Sequence, residues 1–130
     1  MRAISLLSAV LLLATSSAIS MASPEALKAI DSDRDGAIDL PEAQAGATKV
    51  FATLDPDNDG TLDATELDGR LNTTALKAAD PDNDGTLDTK EYADLVEARF
   101  RVADPDEDGT INSNELPSSY GAELLTLIYE

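Results

Sequence analysis

Apolar residues recur along this chain in two rhythms. Between residues 4 and 14 they form a nearly unbroken run, interrupted by Ser5 and Ser8. From residue 24 onward they fall into short stripes at helical spacing, divided by strongly acidic stretches. Ala43, Ala47, Val50, Phe51 and Leu54 stand at i, i+4, i+7, i+8 and i+11 and predict one continuous helix over residues 43–54. Tyr92, Leu95, Val96, Phe100 and Ala103 make a similar stripe and predict a second over residues 92–103. The stretch between them differs, because Gly69 reads as a stop and Asn72-Thr73-Thr74 as a fresh N-cap, predicting two short helical pieces with a bend. Pro117-Ser118-Ser119 breaks the chain again, and a last helix presents Tyr120, Leu124, Leu127 and Ile128 on one face. A first helix is expected over residues 24–30.

The early apolar run has the form of an export signal. Arg2 supplies a positive start, and Ser20-Met21-Ala22 fits the small-x-small pattern before a cut, with Ser16-Ser17-Ala18 as a second candidate. The run is too short for a comfortable membrane span, and a polar acidic chain follows it. Residues 1–22 are therefore expected to be a signal peptide and residues 23–130 the mature domain. A bacterial periplasm suits so brief a signal.

The acidic stretches repeat. Four 12-residue segments, DSDRDGAIDLPE, DPDNDGTLDATE, DPDNDGTLDTKE and DPDEDGTINSNE, begin at residues 31, 55, 80 and 104. Each has Asp at positions 1, 3 and 5, Gly at 6 and Glu at 12, which is the EF-hand pattern. A large hard cation takes about seven oxygens, and this spacing supplies them. Loop 1 offers Asp31, Asp33, Asp35, Asp39 and Glu42, and loop 2 Asp55, Asp57, Asp59, Asp63 and Glu66. Loop 3 offers Asp80, Asp82, Asp84, Asp88 and Glu91, and loop 4 Asp104, Asp106, Asp108, Asn112 and Glu115. Position 7 adds a backbone carbonyl from Ala37, Thr61, Thr86 or Thr110. The glycine at position 6 permits a turn that a Cβ would oppose. Position 8 is always aliphatic (Ile38, Leu62, Leu87, Ile111), the residue that EF-hand pairs bury in a short two-stranded contact between loops.

Connector length decides which loops meet. Only 12 or 13 residues separate one loop from the next, so a single helix must often serve two loops. A 12-residue helix is about 18 Å long, which keeps loops 1 and 2 apart at its two ends, and likewise loops 3 and 4. If the two long connectors pack antiparallel, loop 2 meets loop 3 and loop 1 meets loop 4. The expected fold is all-α: a compact small helical bundle with four EF-hand loops on short shared connector helices, paired 2–3 and 1–4. The apolar stripes are expected to form its core, since a target-binding groove of the Met-rich kind has no Met to use beyond residue 21.

Composition sharpens the chemistry. The chain carries 26 acidic and nine basic residues, net −17. Loss of residues 1–22 removes only Arg2 among them, leaving −18. Such a charge disfavours nucleic acid and stable association with anionic membrane, and it attracts cations. With no Cys and no His, thiolate and imidazole metal sites are excluded, as are disulfides and Ser-His or Cys-His catalytic pairs. No enzyme is expected, and a monomer is the simplest assembly, with a dimer left open.

Pro56, Pro81 and Pro105 at position 2, the short connectors, the export signal and the position-9 acids together resemble the lanmodulin family of periplasmic lanthanide-binding proteins, most clearly in DPDNDGTLDTKEY and ADPDEDGTINSNEL. The resemblance covers essentially the whole mature chain. It implies a small helical fold whose loops do not pair in chain order, a strong preference for lanthanide(III) ions such as La, Ce or Nd over calcium, and folding upon metal binding. It also implies a place in lanthanide uptake or trafficking beside lanthanide-dependent dehydrogenases. Two positions depart from that pattern: Ser32 stands where proline is usual, and Asn112 removes one charge from loop 4. In loop 4's favour, Asp104 stands where some members have Asn. Loops 2 and 3 should accordingly be the tightest pair. The other reading is an exported calcium-binding EF-hand protein, a buffer or sensor.

Overall fold

The computed structural model describes residues 18–130, with side chains from residue 24, so most of the expected signal segment lies outside the described residues. Five helices alternate with four short strands among these residues: α1 (Ala18–Ile30), β1 (Ala37–Asp39), α2 (Leu40–Leu54), β2 (Thr61–Leu62), α3 (Thr73–Ala78), β3 (Leu87–Asp88), α4 (Thr89–Ala103), β4 (Thr110–Asn112) and α5 (Ser119–Ile128).

The long connectors are the continuous helices that their apolar stripes predict. α2 buries Ala43, Ala47, Val50 and Phe51, and α4 buries Tyr92, Val96, Phe100 and Ala103. Phe51, near the end of α2, meets the ring of Tyr92, near the start of α4, edge to face, with centroids 5.6 Å apart and planes at 75°. The two helices therefore run antiparallel, and loop pairing follows. β1 pairs antiparallel with β4, setting Ile38 opposite Ile111, and β2 pairs with β3, setting Leu62 opposite Leu87. All four position-8 side chains are fully buried. Each pair thus joins two metal loops to the core through one aliphatic contact.

α5 closes the bundle against α2 and α4 with Leu124, Leu127 and Ile128. Two glycines make this possible by close approach. A Cβ on Gly46 would lie 2.5 Å from the Ile128 carbonyl oxygen, and one on Gly121 only 2.2 Å from that of Leu116. The end of α5 is tied down by side chains from elsewhere. Tyr92 donates its hydroxyl to the Leu127 carbonyl at 2.7 Å, while Arg70 donates to the carbonyls of Thr126 and Tyr129 at 2.8 and 3.1 Å. These satisfy carbonyls that a helix terminus leaves without an internal partner. Burial pushes the Tyr92 hydroxyl up to about 12, so it stays a proton donor throughout the physiological range.

Three expectations need correction. The second connector holds one helix, not two. Residues 64–70 form successive turns, and α3 starts only after Asn72, whose side chain caps the Ala75 N–H at 2.8 Å. The turn has no room to become a helix, because Gly69 enters the left-handed region (φ 83°) within one turn of loop 2. Tyr120 does not join the core face of α5. It is 53% exposed, because the buried face centres on Gly121, Leu124 and Ile128 and leaves the first turn's other side to solvent. Finally, α1 begins at Ala18, ahead of the expected start at Pro24, which lies inside the helix.

Candidate metal sites

Each loop folds around its first aspartate. Asp31, Asp55, Asp80 and Asp104 accept the position-6 glycine N–H through one oxygen, at 2.9, 3.0, 2.8 and 2.9 Å, and the position-5 N–H through the other, at 3.1 to 3.3 Å. The position-5 carboxylates accept the position-7 N–H; in loops 2, 3 and 4 the threonine hydroxyl there donates as well, whereas Ala37 cannot. This wrapping turns the carboxylates toward one centre. Oxygens of Asp31, Asp33 and Glu42 lie within 4.8 Å of one another, and so do those of Asp55, Asp57 and Glu66, of Asp80, Asp82 and Glu91, and of Asp104, Asp106 and Asp108.

The turn demands more than glycine. Position 4 also lies in the left-handed region, with φ of 61° at Arg34, 54° at Asn58, 57° at Asn83 and 55° at Glu107. Asn takes that conformation with little strain, whereas Arg and Glu do so less readily. The two asparagines in DPDN are the sequence signal for this requirement.

Position 9 also builds the exit of its loop. Asp39, Asp63 and Asp88 each accept the N–H of the position-12 glutamate at 2.8 to 2.9 Å, and that glutamate accepts the position-9 N–H at 2.9 to 3.0 Å. In loops 1 and 3 this is a complete capping box at the start of α2 and α4. Asn112 spends its carbonyl oxygen on the N–H groups of Asn114 and Glu115, at 2.8 and 3.2 Å. One position-9 oxygen therefore organises the exit helix or turn, and at most the other faces a cation.

The electrostatics call for a cation. Asp31, Glu42, Asp55, Asp80, Glu91 and Asp104 expose 9% or less of their surface, shielded by the loops' own backbone. Among the described residues, the ion pairs are Lys90–Asp94, Arg99–Glu123 and Arg101–Glu97, none of which reaches a ligand-position carboxylate. A shared hydrogen bond with the position-1 aspartate is the main influence raising Asp57, Asp82 and Asp106 above the ordinary aspartate range, with nearby acids adding to it. Asp33 is raised too, although its strongest single influence, the Asp35 N–H, lowers it. Asp31, Asp55 and Asp80 are lowered: burial, their largest influence, raises them, but hydrogen bonds from loop N–H groups and from position 3 outweigh it. Carboxylates crowded this closely repel one another, and a cation between them relieves that repulsion. The donors are all oxygen, which suits calcium or another hard ion and not a thiophilic one.

A family model described as EF hand matches residues 25–44 and 95–116, and one described as an EF-hand domain pair matches residues 72–99. These segments take in loops 1, 3 and 4. Loop 2 lies outside them but repeats loop 3 residue for residue over its first nine positions and pairs with it through Leu62 and Leu87. No curated protein matches the chain. Loop geometry, strand pairing and both family models agree: the chain carries EF hands, and its four acidic loops are candidate sites for hard cations.

Proposed function

We propose that this protein binds trivalent lanthanide ions outside the cytoplasm through loops 1 to 4, as the lanmodulin-like features of its sequence suggest. The observation that carries this reading is the surplus of anionic oxygen in the paired loops. Loops 1 to 3 each hold five carboxylates at ligand positions and loop 4 holds four, with no basic side chain ion-paired to them among the described residues. Four divalent ions would neutralise eight of the eighteen negative charges of residues 23–130, and four trivalent ions twelve. A trivalent ion of calcium's size gains more from each carboxylate and costs more to dehydrate, so it wins only where many anionic oxygens replace its water.

In this reading positions 1, 3, 5 and 12 and the position-7 carbonyl hold the ion. Position 9 contributes its uncommitted oxygen directly or through water. The protein acts as a carrier or store in lanthanide uptake or trafficking, with periplasmic dehydrogenases or uptake components as partners and no catalysis of its own. The second reading, an exported calcium-binding protein, draws on the same oxygen sets, which are the ordinary equipment of calcium EF hands. Metal analysis separates the two. Protein isolated gently from its native compartment should carry lanthanide in excess over calcium when both are supplied. Calcium alone, with lanthanide present in the medium, would establish the second reading.

A further inference from the structure

The four loops differ at the glutamate that closes them. In loop 1, Glu42 Oε1 accepts three hydrogen bonds: from the Ser32 N–H at 2.7 Å, the Ser32 hydroxyl at 3.0 Å and the Asp33 N–H at 3.3 Å. Its Oε2 accepts the Asp39 N–H at 3.0 Å. Among the described residues, Glu66, Glu91 and Glu115 accept only the corresponding position-9 N–H, at 3.0, 2.9 and 2.9 Å. For the position-2 donor the reason is covalent, although the Asp33 N–H of loop 1 has counterparts at Asp57, Asp82 and Asp106 that make no such bond among the described residues. Position 2 of those loops is Pro56, Pro81 or Pro105, and proline has no N–H to give.

A carboxylate oxygen has two lone pairs. Three donors on Glu42 Oε1 leave none free, whereas the matching oxygen of the other three glutamates has no donor among the described residues. We propose that Ser32 is an internal latch on loop 1, whose N–H and hydroxyl occupy the Glu42 oxygen that a hard cation needs. Proline at position 2 favours metal in the other loops by removing that competitor. This rests on the reading that position 12 closes each loop around a cation. It assigns Ser32 as the residue that sets loop 1 apart. An ion entering loop 1 must break two or three hydrogen bonds to a charged acceptor, each stronger than a neutral one. Loop 1 therefore fills after loops 2 and 3.

Stiffening of the backbone by proline is the competing explanation, and a double-mutant cycle separates it from the latch. The full mature chain is titrated with lanthanum while the amide resonances of Gly36, Gly60, Gly85 and Gly109 report each loop by NMR. Ser32→Ala, which removes the hydroxyl alone, should tighten loop 1 about threefold, and Ser32→Pro about tenfold or more. Pro81→Ala, which restores an N–H in loop 3, should weaken that loop. In a Glu42→Ala background the Ser32→Pro gain should vanish, because no carboxylate remains to be released. A gain that persists undiminished without Glu42 would overturn the latch in favour of stiffening, as would a Ser32→Pro loop no tighter than the original. Circular dichroism of the lanthanum-loaded variants guards against misfolding, and Ser32→Ala carries the test if the proline variant fails to fold. If Gly36 does not respond to saturating lanthanum in any form while the other glycines do, loop 1 is not a metal site and the latch falls with it. If no glycine responds, the metal reading itself falls.

Discussion

Replacing Glu91 with Gln should weaken metal binding at loop 3 roughly a hundredfold, the largest single-site effect expected in the molecule. The substitution removes a full negative charge and one anionic oxygen from a shielded site, yet keeps the side chain's length. Gln can still accept the Asp88 N–H, a bond that Glu91 makes at 2.9 Å, so the cap at the start of α4 survives. The loss is then one of cation affinity. Because Leu87 lies opposite Leu62 in the β2–β3 pair, loop 2 should weaken along with loop 3 and lose any cooperativity between them. Asn112→Ala makes the contrast. Asn112 holds two backbone N–H groups and offers a cation no charge, so its loss should cost about 1 kcal/mol through the cap, roughly five- to tenfold at loop 4. Site-resolved titration by the position-6 glycine amides reads both. A loop 3 less damaged by Glu91→Gln than loop 4 is by Asn112→Ala would refute glutamate as the closing ligand.

Removing metal should unfold much of the chain. Six shielded carboxylates belong to the loops, none has a basic partner among the described residues, and residues 23–130 carry eighteen excess negative charges. The core that must hold this together is small, with Phe51, Phe100 and Tyr92 as its large aromatics and alanine at Ala26, Ala43, Ala47 and Ala103. Self-repulsion on that scale opposes compaction, and neutralising the loops relieves it. Far-ultraviolet circular dichroism of the chelated protein should show well under half of the metal-loaded helical signal, restored on addition of metal. A full helical signal in excess chelator would show that the apolar contacts suffice without the ion.

Much of this architecture was legible because its causes are local. The stripes at 43–54 and 92–103 repeat at helical spacing, and the helices they predict are α2 and α4. Connector length set loops 1 and 2 at opposite ends of one helix, and with α2 and α4 antiparallel the pairing of Ile38 with Ile111 and of Leu62 with Leu87 agrees with the expected 1–4 and 2–3 contacts. What escaped depends on contacts between distant segments. Gly46 and Gly121 look like weak helix residues until the carbonyls of Ile128 and Leu116 are seen against them. Arg70 looks like one of a few scattered basic residues until its guanidinium is found on the end of α5. Tyr120 stands in the stripe four residues before Leu124, but the buried side of the first turn of α5 is that of Gly121, and Tyr120 is left largely exposed. The acid at position 9 counts as a ligand in any one-dimensional tally, and only the reciprocal bond with position 12 shows that half of it belongs to a helix cap.

The central claim is selectivity, and one titration tests it most directly. Lanthanum and calcium are added separately, each at buffered free concentration, to the metal-free protein while helix content is followed. Loops dense in carboxylate should fold the chain at a free lanthanum concentration orders of magnitude below the free calcium concentration that does the same, with loops 2 and 3 filling together. Coincident midpoints for the two ions would contradict the lanthanide reading and leave an exported calcium-binding EF-hand protein in its place.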